Sequence, residues 1–86
     1  MTLLLFSTES CTQCKAIKRE LEGIAYERCN DYDKYDIMSV PTLIILDGDS
    51  LDGKGKEVGR LTGFHTKKQI QDWVNNIINE VIVPNQ

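Results

Sequence analysis

Cys11 and Cys14 stand in a C-x-x-C arrangement directly after the apolar run Thr2–Phe6. A cysteine pair at that spacing has three fates. It exchanges electrons, it holds a metal, or it only fills space. Exchange needs a thiolate, because the thiolate is the nucleophile in thiol–disulfide chemistry. Cys11 falls where a buried strand gives way to a helix. The unpaired backbone N–H groups and the dipole of a helix N-terminus favour negative charge there, which lowers a thiol pKa below its free value of about 8.5. Cys14 lies one helical turn further on, within reach of a mixed disulfide formed at Cys11. Metal binding is the sharper alternative, with Cys11, Cys14, Cys29 and His65 as four zinc ligands. Zinc sites usually take two closely spaced ligand pairs, whereas Cys29 and His65 are single and far apart in the chain. A third reading leaves two packed thiols with no role.

Positioning the pair requires specific elements. Thr2–Phe6 is a short continuous apolar run, as expected of a strand buried on both faces. Ser10 is the expected helix N-cap, with Gln13 completing a capping box, and Cys14, Ile17 and Leu21 recur at helical spacing up to Gly23. The first helix is therefore expected over Cys11–Glu22. Ile24–Cys29 reads as a second strand, and Asn30–Asp36 as a polar turn with at most one helical turn. Thr42–Leu46 is another buried strand, opened by Pro41. Asp47-Gly48 is a turn signal, the Asp49–Lys56 stretch a loose loop, and Glu57–Leu61 a fourth strand closing a hairpin. Thr66 and Gln69 make a second capping box ahead of the apolar stripe Ile70, Trp73, Val74, Ile77, Ile78 and Val81, a helix that ends before Pro84. The order is β-α-β-(turn or short helix)-β-β-α in one α/β domain over residues 1–86, with a mixed four-stranded sheet flanked by helices. A β-α-β crossover makes its two strands parallel.

Bulk properties narrow the function classes. With 86 residues there is room for one core. Ten basic against 13 acidic residues, with no basic cluster, give no nucleic-acid footprint. No apolar run reaches the roughly 20 residues of a membrane span, and the N-terminus carries no secretory pattern. Three cysteines make a poor disulfide framework. A cytoplasmic monomer is expected, where a close pair means redox chemistry or metal.

Four blocks in order resemble the thioredoxin family. "LLLFSTESCTQCK" is similar to its strand, active-site C-x-x-C and helix start. "KYDIMSVPTLIIL" is similar to the segment ending in Val/Ile-Pro-Thr and an apolar strand. "KEVGRLTGF" resembles the last strand with its glycines, Gly59 and Gly63, and "TKKQIQDWVNNII" the terminal helix. Together they span nearly the whole chain. The resemblance implies a minimal thioredoxin fold lacking the extra N-terminal strand and helix of larger members, close in length to glutaredoxins and to the compact redoxins of phages and bacteria. It implies that Cys11 attacks, that Cys14 resolves, and that Pro41 is cis and faces them across a groove. Thr12, Gln13, Val40, Pro41 and Gly63 would line that groove and bind the substrate. No cofactor would be bound. The redox-active Cys11–Cys14 disulfide would be reduced by an NADPH-dependent flavin enzyme of the thioredoxin reductase type. Clients would be disulfide-containing proteins, among them ribonucleotide reductase.

The chain also departs from that pattern. Ser10 replaces the tryptophan before the first cysteine, and Leu5 the buried acid beneath the pair, so the Cys14 proton must leave through water or Glu9. Thr12-Gln13 is neither Gly-Pro nor Pro-Tyr, and no Gly-Gly pair follows the last strand to hold glutathione. Cys29 reads as a small thiol packed near the sheet, with a regulatory thiol as its alternative. His65 reads as a turn residue beside the cap, and Trp73 as core. The loop "DGDSLDGKGKE" lacks EF-hand spacing, with Asp52 where a glycine and Val58 where a glutamate belong. The reading is a thiol–disulfide oxidoreductase of the electron-transport kind. Its alternatives are a partner-binding module that docks through the Pro41 groove without catalysis, and the zinc site.

Overall fold

The computed structural model of the chain describes residues 2–47 and 56–79. Four strands and two helices follow in the order β1 (Thr2–Phe6), α1 (Thr12–Glu20), β2 (Glu27–Cys29), β3 (Thr42–Asp47), β4 (Lys56–Thr62) and α2 (Lys67–Ile77). The strands form one sheet in the order β2-β1-β3-β4. β1 and β2 are parallel, whereas β3 runs antiparallel to both β1 and β4. This is the mixed four-stranded α/β architecture expected from the sequence. Gly48 of the expected turn, most of the Asp49–Lys56 loop and the end of the last helix before Pro84 lie outside the described residues.

The apolar runs are continuous because both faces of the central strands are covered. Side chains alternate between faces along a strand. Leu3, Leu5, Leu43 and Ile45 therefore meet Ile17, Leu21 and Ile70 of the helical side, while Leu4, Phe6, Ile44 and Leu46 form a second cluster on the opposite face. Trp73, Val74 and Ile77 of α2 are half-buried against the first cluster, as their stripe predicts. Among the described residues, the second face is covered by Cys29, Tyr32, Tyr35 and Ile37. Both tyrosine rings tilt against Phe6, with centroids 6.1 and 5.4 Å away. A non-helical segment takes that role. It is a series of turns, with the Ile37 N–H donating to the Tyr32 carbonyl (2.9 Å) and Asp36 in the left-handed region at φ 55°.

β3 and β4 run one residue beyond their expected ends, to Asp47 and over Lys56–Thr62, whereas β2 and α1 are shorter than expected. β2 is a three-residue edge strand, not the six residues Ile24–Cys29, because Ile24 and Tyr26 pack toward the helical core instead of continuing the ladder. α1 begins at Thr12 and ends at Glu20, and Leu21–Gly23 turn out of it with Gly23 at φ +86°. The capping box of α2 forms as expected: Thr66 Oγ1 accepts from the Gln69 N–H, and Gln69 Oε1 accepts from the Thr66 N–H. The start of α2 is also fastened to the end of α1. The Lys67 N–H donates to Glu20 Oε1, and Lys67 Nζ donates to the Glu22 carbonyl, both at 2.8 Å. A carboxylate at a helix N-terminus offsets the positive end of the dipole. Among the described residues no helix is long and apolar enough to cross a membrane.

Candidate active site

Cys11, not Ser10, is the N-cap of α1. The chain turns over Thr8–Ser10, and the Cys11 N–H reaches back to the Thr8 carbonyl (3.5 Å). This leaves Cys11 extended (φ −88°, ψ 116°) immediately before the helix, while Ser10 is exposed in the turn. The sulfur does what an N-cap oxygen does: Cys11 Sγ accepts from the Cys14 N–H at 3.1 Å. Gln13 therefore makes no capping box with Ser10, and the position that faces the cap belongs to Cys14.

The two thiols differ in setting. Cys11 is half-exposed and Cys14 is fully buried. Cys11 is held below the usual thiol range, first by a hydrogen bond from the Cys14 thiol, then by the backbone N–H groups of Cys14 and Gln13 and by the charge of Lys18, which together outweigh partial desolvation. Burial pushes Cys14 up, and its own hydrogen bond to Cys11 adds to that. One sulfur is therefore disposed to carry the negative charge and the other the proton. All three cysteines are free thiols.

Opposite the pair lies the turn before β3. The Val40–Pro41 peptide is cis. The Val40 carbonyl is 3.9 Å from Cys11 Sγ, close enough to accept from the thiol. Gly63, at φ +90°, donates its N–H to the Pro41 carbonyl (2.8 Å), tying the end of β4 to the same turn. Only glycine adopts that φ without strain, and open space surrounds the position its Cβ would take. Cys11, Cys14, Val40, Pro41 and Gly63 thus form one connected site at the ends of β1, β3 and β4. Thr12 and Gln13 are exposed on the first turn of α1 beside it.

Other sequence candidates lie elsewhere. Leu5 is fully buried among Ile17, Leu21 and Leu43, so the position where the resemblance expects a buried acid is apolar. Glu9 is exposed in the Thr8–Ser10 turn. Cys29 packs against the second-face cluster, at a cavity of about 180 Å³ also lined by Ser7, Arg28, Asn30 and Tyr32. His65 places Nδ1 3.1 Å from the Gly63 carbonyl, just ahead of the α2 cap. Among the described residues no three His, Cys, Asp or Glu side chains converge as a metal would need, so Cys11, Cys14, Cys29 and His65 are not brought together.

Two exposed large apolar side chains, Met38 and Phe64, have no counterpart among the sequence candidates. Met38 is 88% exposed and Phe64 42% exposed. Met38 belongs to no periodic element, and its place in the apolar-rich stretch Ile37–Pro41 gives no sign of exposure. The reading also missed Arg60. It pairs with Glu57 (2.8 Å) and donates to the Tyr35 and Asp36 carbonyls, at 2.6 and 3.3 Å, which anchors the segment leading to Val40.

No protein-family model matches the sequence, and no curated protein matches it. Solved structures do. A crystal structure of Fasciola hepatica thioredoxin superposes with a TM-score of 0.66, covering 87% of this chain and 78% of that one at 17% identity. The solution structure of a thioredoxin from Thermus thermophilus gives a TM-score of 0.65, covering 88% and 72% at 19% identity. The chain has the thioredoxin fold, with a cysteine pair at the start of its first helix.

Proposed function

We propose that this protein is a thiol–disulfide oxidoreductase that reduces disulfides in other proteins. The observation that carries the reading is the asymmetry of the pair: a half-exposed, charge-stabilised Cys11 sulfur accepts hydrogen bonds from a buried, proton-retaining Cys14. The Cys11 thiolate attacks one sulfur of the client disulfide. A Cys11–client disulfide forms, the client S–S bond breaks, and one client thiolate leaves and takes a proton from water. Cys14 then loses its proton to solvent, because Leu5 offers no base, and attacks the Cys11 sulfur. The Cys11–Cys14 disulfide forms, the mixed disulfide breaks, and the second client thiol is released. Two electrons pass from this protein to the client. Val40 and Pro41 present backbone to the client segment held at Cys11, with Gly63 fixing their turn and Thr12 and Gln13 forming the opposite wall.

An NADPH-dependent flavin enzyme of the thioredoxin reductase type returns the pair to the dithiol. The setting is cytoplasmic, the protein acts as a monomer, and ribonucleotide reductase is a client suited to such a donor. Insulin reduction tests the reading, with dithiothreitol or NADPH and a flavin reductase as electron source. Wild type accelerates precipitation of the insulin B chain, and Cys11→Ser abolishes the acceleration. Equal inactivity of the two proteins with every electron source, glutathione included, sinks it.

A further inference from the structure

The peptide unit between Ser7 and Thr8 is engaged at both ends. Its carbonyl accepts from the Tyr32 hydroxyl at 2.7 Å, across 25 positions of sequence. Its N–H donates to the Cys14 sulfur and favours the charged form of that thiol. Among the described residues Val40–Pro41 is the cis peptide bond, so Ser7–Thr8 is trans. The carbonyl and the N–H of a planar trans unit point in opposite directions. The bond from Tyr32 therefore fixes where the Thr8 N–H points. A peptide that accepts at its oxygen also donates more strongly at its nitrogen. The next carbonyl, that of Thr8, accepts from the Cys11 N–H, so the same loop is tied to both cysteines.

Tyr32 is itself held in place. Its ring tilts against Phe6, with centroids 6.1 Å apart, and its carbonyl accepts from the Ile37 N–H at 2.9 Å. Cys14, by contrast, has little to help it ionise. It is fully buried, and both burial and its hydrogen bond to Cys11 favour the neutral thiol. The Thr8 N–H is the larger of the influences that favour the thiolate, ahead of the charge of Lys18. The neighbouring strands add no base. β1 carries no titratable side chain, and β3 has only Asp47, at the end of the strand away from Thr42 and the site. His65 is turned to the Gly63 carbonyl.

We infer that Tyr32 is a positioning residue for the resolving step: its hydroxyl aims and polarises the Ser7–Thr8 peptide, whose N–H stabilises the Cys14 thiolate. The inference rests on the exchange reaction proposed above and concerns its second half. Once the Cys11–client disulfide has formed, Cys14 gives its proton to solvent. The charge left on its sulfur is met by the Thr8 N–H. The thiolate then attacks the Cys11 sulfur, the Cys11–Cys14 bond forms, the Cys11–client bond breaks, and the client sulfur leaves as a thiolate. Tyr32 touches neither sulfur and acts through the peptide it holds.

Tyr32→Phe keeps the ring on Phe6 and removes the hydroxyl alone. Reduced protein is mixed with an excess of a peptide disulfide and stopped with acid at intervals. By mass, the rise of the Cys11 mixed disulfide gives the attack rate and its decay gives the resolution rate. If wild type forms no mixed disulfide at Cys11, the functional reading fails, and this inference with it. If it does, Tyr32→Phe is expected to slow resolution about fivefold near neutral pH, as weakening a hydrogen bond to a charged atom does, and to slow attack less. The pH profile separates this role from a merely structural one. The midpoint for resolution moves up by about 0.7 pH unit, which is that fivefold change at tenfold per unit. Above it the two proteins converge, because Cys14 is ionised in both. Resolution unchanged in Tyr32→Phe, or slowed equally at every pH, overturns the inference and leaves the exchange chemistry standing. Cys11→Ser, in which Cys14 titrates alone, gives a second readout with Tyr32 in place. The Thr8 amide proton is expected to move downfield in the NMR spectrum as Cys14 ionises, and a Thr8 signal that does not follow Cys14 overturns the inference as well.

Discussion

At the scale of single residues, the C-x-x-C spacing and the capping-box spacing are the same i, i+3 relation. Placing Cys11 at the N-cap puts Cys14 at the third helical position, where its backbone N–H and its thiol both turn toward the cap. The helix start thus creates the charge asymmetry without a separate base. Because the Cys14 thiol is the largest influence lowering Cys11, Cys14→Ala is expected to move the pH midpoint of Cys11 alkylation by iodoacetamide upward, and Cys14→Ser to restore part of the shift. Rates at Cys11, followed by peptide mass across pH, check this. An unmoved midpoint assigns the effect to the backbone alone. The signs for stability are opposite for the two thiols. Folding favours the Cys11 thiolate, so that contribution is present at alkaline pH and lost as pH falls through the folded value. Folding favours the Cys14 thiol, so its contribution is present at neutral pH and lost as pH rises through its raised value. Ser10 carries the hydroxyl expected of an N-cap, but the Cys11 sulfur accepts the capping bond one residue later.

At the scale of elements, α2 lies close on β4 at Gly59. A Cβ there would stand 2.8 Å from Ile77 Cδ1 and 3.4 Å from Trp73 Cζ2. β4 also shifts register beside this point, with Ile45 opposite Gly59 but Leu46 opposite Glu57, which leaves Val58 as the extra residue of a bulge. Gly59→Val is expected to cost about 1–3 kcal/mol by overpacking, read as a lower urea midpoint. A stability equal to wild type means that α2 is free to move aside. Thr66→Ala removes half of the α2 capping box and is expected to cost about 1 kcal/mol, measured the same way. The turn segment is held by side chains reaching from elsewhere: Tyr32 donates to the Ser7 carbonyl (2.7 Å), and Arg60 to the carbonyls of Tyr35 and Asp36. Arg60→Ala is expected to raise amide exchange over residues 35–40 more than over β3, and uniform change across the sheet contradicts that role. The helices were legible because capping and 3.6-residue periodicity are local. The length of β2 was not, since Ile24 and Tyr26 suit a strand locally and are diverted by the core they pack against. The arrangement of the 30–37 segment was hidden for the same reason, its shape being set by Phe6 and Arg60.

At the scale of the whole molecule, two buried strands carry an apolar residue at nearly every position and divide them between two faces. That alternation, with the order of the elements, made the mixed sheet readable in advance, and the match to solved thioredoxins at 17% and 19% identity is a match of that framework. The site was legible where a motif marks backbone geometry, as at Cys11, Cys14, Pro41 and Gly63. It was hidden where exposure decides, as at Met38, because solvent contact depends on the assembled surface. The account as a whole turns on Cys11 attacking first and Cys14 second. The most direct measurement mixes reduced Cys14→Ala protein with a peptide disulfide, stops the reaction with acid, and locates the added peptide by mass. The account predicts one peptide bound through a disulfide at Cys11, persistent in the variant and transient in wild type. Addition first at Cys29, or no mixed disulfide at Cys11, would contradict it.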